Sequence, residues 1–181
     1  MMLTSQTKKI AAAVVVGVLV VGGIWWMSKK PKVEEEIKPE IILESSKMIE
    51  SDVGLQMPMA EAEKQAIEET FVKEGAEMTV LKDVSGGQGV GTAWRHWDGS
   101  KFYHKAQADN LPALEKGFFY EGWLVGEAGF FSTGRMAVVS GKGSLYYTTG
   151  EDKTEFGGVV ITLEAEDGDP KPDKHILEGN F

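Results

Sequence analysis

The sequence predicts an all-β fold: an antiparallel immunoglobulin-like β-sandwich of about seven strands, preceded by one transmembrane helix and a linker. Three observations lead there. An uncharged apolar stretch runs from Ile10 to Met27, and an acidic segment containing Pro31 and Pro39 follows it. Beyond Gly75, apolar residues recur with a period of two, broken by short turn-forming runs and with no helical pattern between them. A chain of 181 residues leaves room for one domain of roughly 100 to 120 residues once the terminal segments are set aside.

Residues 1–9 read as a cytoplasmic tail. Residues 10–27, IAAAVVVGVLVVGGIWWM, would span about 27 Å as a helix, close to the hydrocarbon core of a bilayer. Trp25 and Trp26 stand where indole rings favour the headgroups, and Lys29 and Lys30 follow. A cleaved signal peptide is the competing reading; the bulky WWM end, without a small-x-small cleavage site, favours a retained anchor. Lysine pairs flank both sides of the stretch, so the positive-inside count is nearly balanced. The acid-free tail and the EEE run after the helix favour a single-pass protein of the cell membrane, N-terminus inside and bulk extracytoplasmic.

Residues 28–57 are an acidic stalk with only short apolar clusters. Residues 58–74 predict a short helix, with Ala62, Ala66 and Ile67 on one stripe and Phe71 a turn further on. Residues 75–181 hold the β domain. Its predicted strands are Glu77–Val84, Val90–Trp97, Lys101–Ala108, Phe118–Val125, Gly134–Val139, Ser144–Thr149, Gly158–Ala165 and, weakly, His175–Leu177, with turns such as DGS, NLP, GEAG and SGKG between them. A three-residue loop Asp98-Gly99-Ser100 would pair Trp94 with His104 and His96 with Phe102, all on one face. The segment FFYEGWLV is apolar on both parities except at Glu121, as a central strand would be. Trp123, Trp94, Leu124, Ile161 and Leu163 are the predicted structural core.

The net charge of −9, with four lysines and no acid in the first thirty residues, makes the remainder strongly acidic. That argues against a nucleic-acid partner, whose phosphates demand Lys and Arg. The absence of cysteine excludes disulfides, thiolate metal sites and a thiol nucleophile. His96 and His104 are weak metal candidates, the basis of an alternative copper-binding reading with Met57, Met59 or Met136 as soft ligands. The run Ser85 to Gly91 lacks the following helix and the Lys-Ser/Thr of a phosphate loop, and reads as a flexible connection. Glu164, Glu166, Asp167, Asp169 and Asp173 form an acidic corner without EF-hand spacing, read as a solvated loop. Asp152 and Glu155 have no nucleophile beside them. No catalytic residue and no cofactor is predicted, and the protein is read as a non-enzyme.

Three stretches together carry a family resemblance: Phe119-Tyr120-Glu121-Gly122-Trp123-Leu124-Val125; Phe131-Ser132-Thr133-Gly134-Arg135-Met136; and Val159-Val160-Ile161-Thr162-Leu163-Glu164, which leads into Gly168-Asp169-Pro170-Lys171-Pro172 and Ile176-Leu177-Glu178-Gly179. They resemble the C-terminal domain of anti-sigma-K factors over residues 118 to 179, and more faintly over 76 to 117. The resemblance implies an extracytoplasmic β-sandwich tethered by one membrane helix, an envelope sensing or binding module linked to sigma-factor regulation, with an envelope protein or ligand as partner. The family places a cytoplasmic sigma-binding domain before its membrane helix. The nine residues at that place here are too few to bury about 800 Å² per partner, so no sigma-binding residue is carried over. A purely structural envelope protein is the remaining alternative.

Overall fold

The computed structural model describes residues 59–181. The tail, the apolar stretch 10–27 and the stalk expected from the sequence lie outside the described residues. Among the described residues no helix is long and apolar enough to cross a membrane.

The alternating pattern becomes nine strands: β1 (Glu77–Asp83), β2 (Val90–Trp97), β3 (Phe102–Asp109), β4 (Phe118–Gly126), β5 (Gly129–Arg135), β6 (Ala137–Val139), β7 (Lys142–Thr149), β8 (Gly158–Ala165) and β9 (Lys174–Asn180). All their pairings are antiparallel, and they form one sheet in the order β5-β4-β8-β9-β1-β2-β3-β7-β6. The antiparallel all-β class matches the expectation, but the division into two sheets does not. β1 pairs with both β2 and β9 and makes the series continuous. The β1–β9 junction is narrow, with only Lys82 opposite Glu178 and Asp83 opposite Leu177, supplemented by the Val84 N–H on the Ile176 carbonyl (3.0 Å) and the Thr79 hydroxyl on the Asn180 carbonyl (2.6 Å).

The sheet curls until its ends meet. β5 pairs with β4 and β6 pairs with β7, yet a single residue, Met136, separates them. One strand thus bends at Met136 and changes partners, so the sheet approaches a barrel. The predicted strand Gly134–Val139 straddles this bend, and β5 begins inside the predicted GEAG turn and runs through residues 130–133, to which the sequence pattern assigns no strand; Gly126, Gly129 and Gly134 give the segment a turn-like composition. Leu81, Ala106, Tyr120, Leu124, Phe131 and Ile161 are among the fully enclosed interior side chains.

The β2–β3 hairpin departs from the expected register by one residue. Its loop has four residues, Asp98 to Lys101, closed by the Trp97–Phe102 pair and by the Asp98 N–H on the Lys101 carbonyl (3.2 Å). The Asp98 carboxylate accepts from the Ser100 and Lys101 N–H groups (2.8 Å each) and from the Ser100 hydroxyl (2.9 Å), which holds its pKa well below the usual range. That turn wins over the three-residue loop, and every side chain of one strand changes its cross-strand partner.

Among the described residues one helix, α1 (Glu61–Glu74), precedes the sheet. The Glu63 carboxylate accepts the Ala60 N–H at its start (3.2 Å). α1 lies on the outer face of β2, β3 and β7. Its contact stripe is Lys64, Ile67, Glu68 and Phe71, while the expected Ala62 and Ala66 are exposed. The docking face includes charged residues, which hydrophobic periodicity cannot register.

At the junction, a Cβ on Gly179 would sit 2.6 Å from the Val80 carbonyl oxygen and 2.8 Å from Leu81 Cδ2. Backbone cannot yield as a side-chain tip can. Gly179→Ala is therefore expected to destabilise the domain by about 1–3 kcal/mol, measured by denaturant unfolding. Gly157→Ala, which meets nothing within 4 Å, should stay within about 0.5 kcal/mol of wild type.

Candidate functional site

The strands that carry the resemblance to a known family place their distinctive side chains on one outer face. Along β4, Tyr120 and Leu124 turn inward, whereas Phe119, Glu121, Trp123 and Val125 turn outward; along β8, Val159 and Ile161 turn inward, and Val160, Thr162 and Glu164 outward. Glu121 stands opposite Thr162, and Trp123 opposite Val160. A chain of hydrogen bonds links this face. Trp123 Nε1 donates to Thr162 Oγ1 (2.8 Å), the Thr162 hydroxyl donates to the Glu164 carboxylate, and Glu164 Oε1 accepts the Asp173 N–H (2.9 Å). The Ser132 hydroxyl donates to Glu121. Trp123 is 2% exposed and packs with Val125, Phe130 and Val160, its ring edge-on to Phe130 at 5.9 Å.

Burial raises the pKa of both Glu121 and Glu164. For Glu121 the Ser132 bond and the Arg135 charge oppose the rise in part. For Glu164 the Thr162 and Asp173 bonds oppose it, and the charges of Asp173 and Glu121 add to it. Arg135 lies 3.6 Å over the Phe119 ring and bonds Glu166 at 3.0 Å. A bulge between Gly122 and Trp123 leaves Thr133 turned inward beside Gly122, its hydroxyl without a hydrogen-bond partner among the described residues.

A second polar group crosses the barrel interior. Cross-strand pairing lines up Glu77, Arg95, His104 and Tyr147 on β1, β2, β3 and β7. Arg95 Nε donates to Glu77 (2.8 Å) and Nη1 to the carbonyls of Thr154 and Phe156 (3.0 Å each), while its guanidinium sits 4.3 Å over the Phe181 ring. Arg95 thereby ties the β7–β8 loop and the end of β9 to the sheet. His104 Nδ1 lies 3.1 Å from the Trp94 carbonyl, which can only accept, so this nitrogen carries the proton. Burial pushes the His104 pKa down to about 4; the Trp94 bond resists and the Arg95 charge assists. The imidazole is neutral at physiological pH.

The one-residue register change separates the metal candidates. His104 faces the interior, and His96 faces outward, 3.2 Å from Glu74 of α1. The expectation of a shared face is corrected accordingly. Among the described residues no three His, Cys, Asp or Glu side chains are arranged to hold a metal ion; Met136 is in the interior core, and Met57 lies outside the described residues. Of the predicted core, Leu124 and Ile161 are in the interior, Trp123 is buried on the outer face, and Leu163 is partly buried against the interior. Trp94 is half-buried under α1 rather than inside, a further consequence of the register.

Two loops that resemble ligand sites in sequence are ordered by their own chain. The Asp83 carboxylate gathers the N–H groups of Ser85, Gly87 and Gly89 at 2.8–2.9 Å, so the glycine-rich run points at a carboxylate of the same loop. In the acidic corner, Glu164 is buried, Glu166 meets Arg135, and Asp173 accepts the Ala165 N–H at 3.1 Å. Arg95, Lys105 and Thr162 escaped the sequence reading. A charged or hydroxylic residue inside an apolar strand, as at Glu121, was the available signal.

Trp123→Ala removes the largest buried side chain and leaves Thr162 without its donor; it is expected to cost about 3–5 kcal/mol. An unshifted melting midpoint would assign Trp123 to a surface role. Glu121 gives a test with a definite sign. Its folded pKa lies above the unfolded one, so its favourable contribution is complete below the unfolded value and is lost as pH rises through the folded one. Glu121→Gln keeps an acceptor for Ser132 and cannot ionise. Its midpoint should exceed that of wild type near about pH 7, with the gap closing by about pH 4; a gap that does not change with pH would remove ionisation as the cause.

The model of the family described as anti-sigma-K factor rskA, C-terminal, matches residues 9–176. No curated protein and no solved structure matches the sequence. The match covers the described barrel from α1 to Ile176 of β9, including the β4 and β8 faces on which the Trp123–Thr162–Glu164 chain is built. This chain belongs to the anti-sigma-K factor C-terminal family.

Proposed function

We propose that the chain is a non-enzymatic, single-pass membrane protein that displays a regulatory anti-sigma-type β domain outside the cytoplasm, where it senses or binds a component of the envelope. The observation that carries this reading is the extent of the family match, which begins at residue 9 and so takes in the apolar stretch 10–27 together with the barrel. Trp25, Trp26, Lys29 and Lys30 at the end of that stretch support an interfacial boundary, and the acid-free residues before it support an inside N-terminus.

The polar side chains of the barrel support a binding role over a catalytic one. Arg95 is held by two carbonyls and Glu77, Thr162 by Trp123 and Glu164, and Asp83 by its own loop. Such groups stiffen a scaffold. In this reading regulation follows from what the outer faces and loops contact.

A pair of reporters fused after Phe181 tests the placement. Alkaline phosphatase, which is active only outside the cytoplasm, should be active, and a fluorescent protein that matures only inside should stay dark. The opposite pattern would put the barrel in the cytoplasm and end the proposal.

A further inference from the structure

The outer face beneath α1 is an unusual helix seat. Cross-strand pairing sets Trp94, Lys105 and Tyr146 in one row across β2, β3 and β7. The Lys105 side chain is only 10% exposed; its Nζ lies 4.6 Å over the Trp94 ring and 5.8 Å from the Tyr146 ring centre. A desolvated ammonium on an aromatic bed requires a carboxylate, and Glu68 of α1 supplies it. One oxygen, Glu68 Oε1, accepts from Lys105 Nζ (2.6 Å) and from the Tyr146 hydroxyl (2.7 Å).

The helix that brings this carboxylate is otherwise loosely held. Of its fourteen residues only Ile67 is buried, and five are glutamates. A helix of that length is marginal on its own in water, so α1 depends on its docking. Among the described residues its other polar ties to the sheet are peripheral: Glu74 with His96 at 3.2 Å, Thr70 with the Tyr103 hydroxyl, and Lys64, paired with Glu61, 5.9 Å from the Tyr146 ring. The seat thus recognises a helix chiefly by one carboxylate and one aliphatic side chain at adjacent positions, with the part-buried Phe71 one turn further on.

We propose that the Trp94–Lys105–Tyr146 row is a docking site for an acidic helix of a partner protein, and that α1 occupies it as a built-in competitor. The partner would present a carboxylate to Lys105 and Tyr146 and a neighbouring aliphatic side chain to the Ile67 position. The occupant is specified by charge complementarity, with α1 itself as the template. Displaced, α1 loses the contacts that keep it helical, so partner binding and α1 unfolding are coupled. The inference rests on side-chain geometry and does not depend on which side of a membrane the barrel occupies.

Charge reversal in the full chain tests it. Glu68→Lys sets two ammonium groups against each other and should speed amide exchange across residues 61–74 by at least about tenfold, with β2, β3 and β7 still protected. Adding Lys105→Glu should restore slow exchange. The probe for the partner is a synthetic peptide of residues 59–75. It should bind the Glu68→Lys chain at least about tenfold more tightly than wild type, whose own α1 competes, and should not bind the Glu68→Lys/Lys105→Glu chain. Should Glu68→Lys disturb the sheet, Glu68→Gln serves in its place. Unchanged exchange in the variant, no peptide binding to it, or equal binding to all three chains overturns the proposal. A wild-type dimer that dissociates on addition of the peptide also overturns it, because the natural occupant would then be a second copy.

Discussion

The bend at Met136 governs the architecture. Because the chain pairs with β4 up to Arg135 and with β7 from Ala137, one residue joins the two ends of a nine-stranded sheet. The bend is held by the Met136 N–H on the Tyr120 carbonyl (2.8 Å) and admitted by Gly134, whose φ of 102° favours glycine. It also dictates its neighbours. The Met136 side chain turns into the core over Gly143, where a Cβ would run into the sulfur. Gly122, across the bulge, leaves room for Leu145 and Thr133 in the same way. The interior can close only because small residues stand where strands from the two ends of the sheet approach.

Closure leaves two kinds of outer surface. Over β4 and β8, the surface is covered by side chains of the sheet itself: Trp123 shields Thr162, Thr162 serves Glu164, and Glu164 fastens the loop at Asp173. The segments on which the family resemblance rests are thus one physical unit, an aromatic lid over a polar chain, rather than three separate stretches. The buried carboxylates there are satisfied by hydrogen bonds but remain costly to ionise beside one another. Over β2, β3 and β7, the surface is covered by α1, added from outside and held chiefly through Ile67 and the Glu68 carboxylate.

The two halves of the sheet therefore differ in the energy needed to expose them. Uncovering β4 and β8 means removing Trp123 from a packed strand, which amounts to unfolding. Uncovering β2, β3 and β7 means releasing one short helix, and elements with few buried apolar contacts open at lower free energy than the core. A regulatory domain built in this way can change one face without losing the barrel.

The sequence by itself determined the class of the fold, the start of the β region, most strands and the burial of β4 on both faces. Period-two patterning and turn residues are local signals, and a strand buried on both faces announces itself by composition. It also carried the family resemblance. Tertiary structure alone decided the register of β2 on β3, the partner change at Met136 and the seat of α1. A hairpin loop of three or four residues is nearly equal in local chemistry, yet the difference places His96 and His104 on opposite faces and moves Trp94 from the interior to the bed of a helix. A lysine with its aliphatic stem buried reads as a surface residue until Trp94 and Tyr146 are seen beside it. Parity and burial belong to the pairing of distant segments, and no local pattern encodes them.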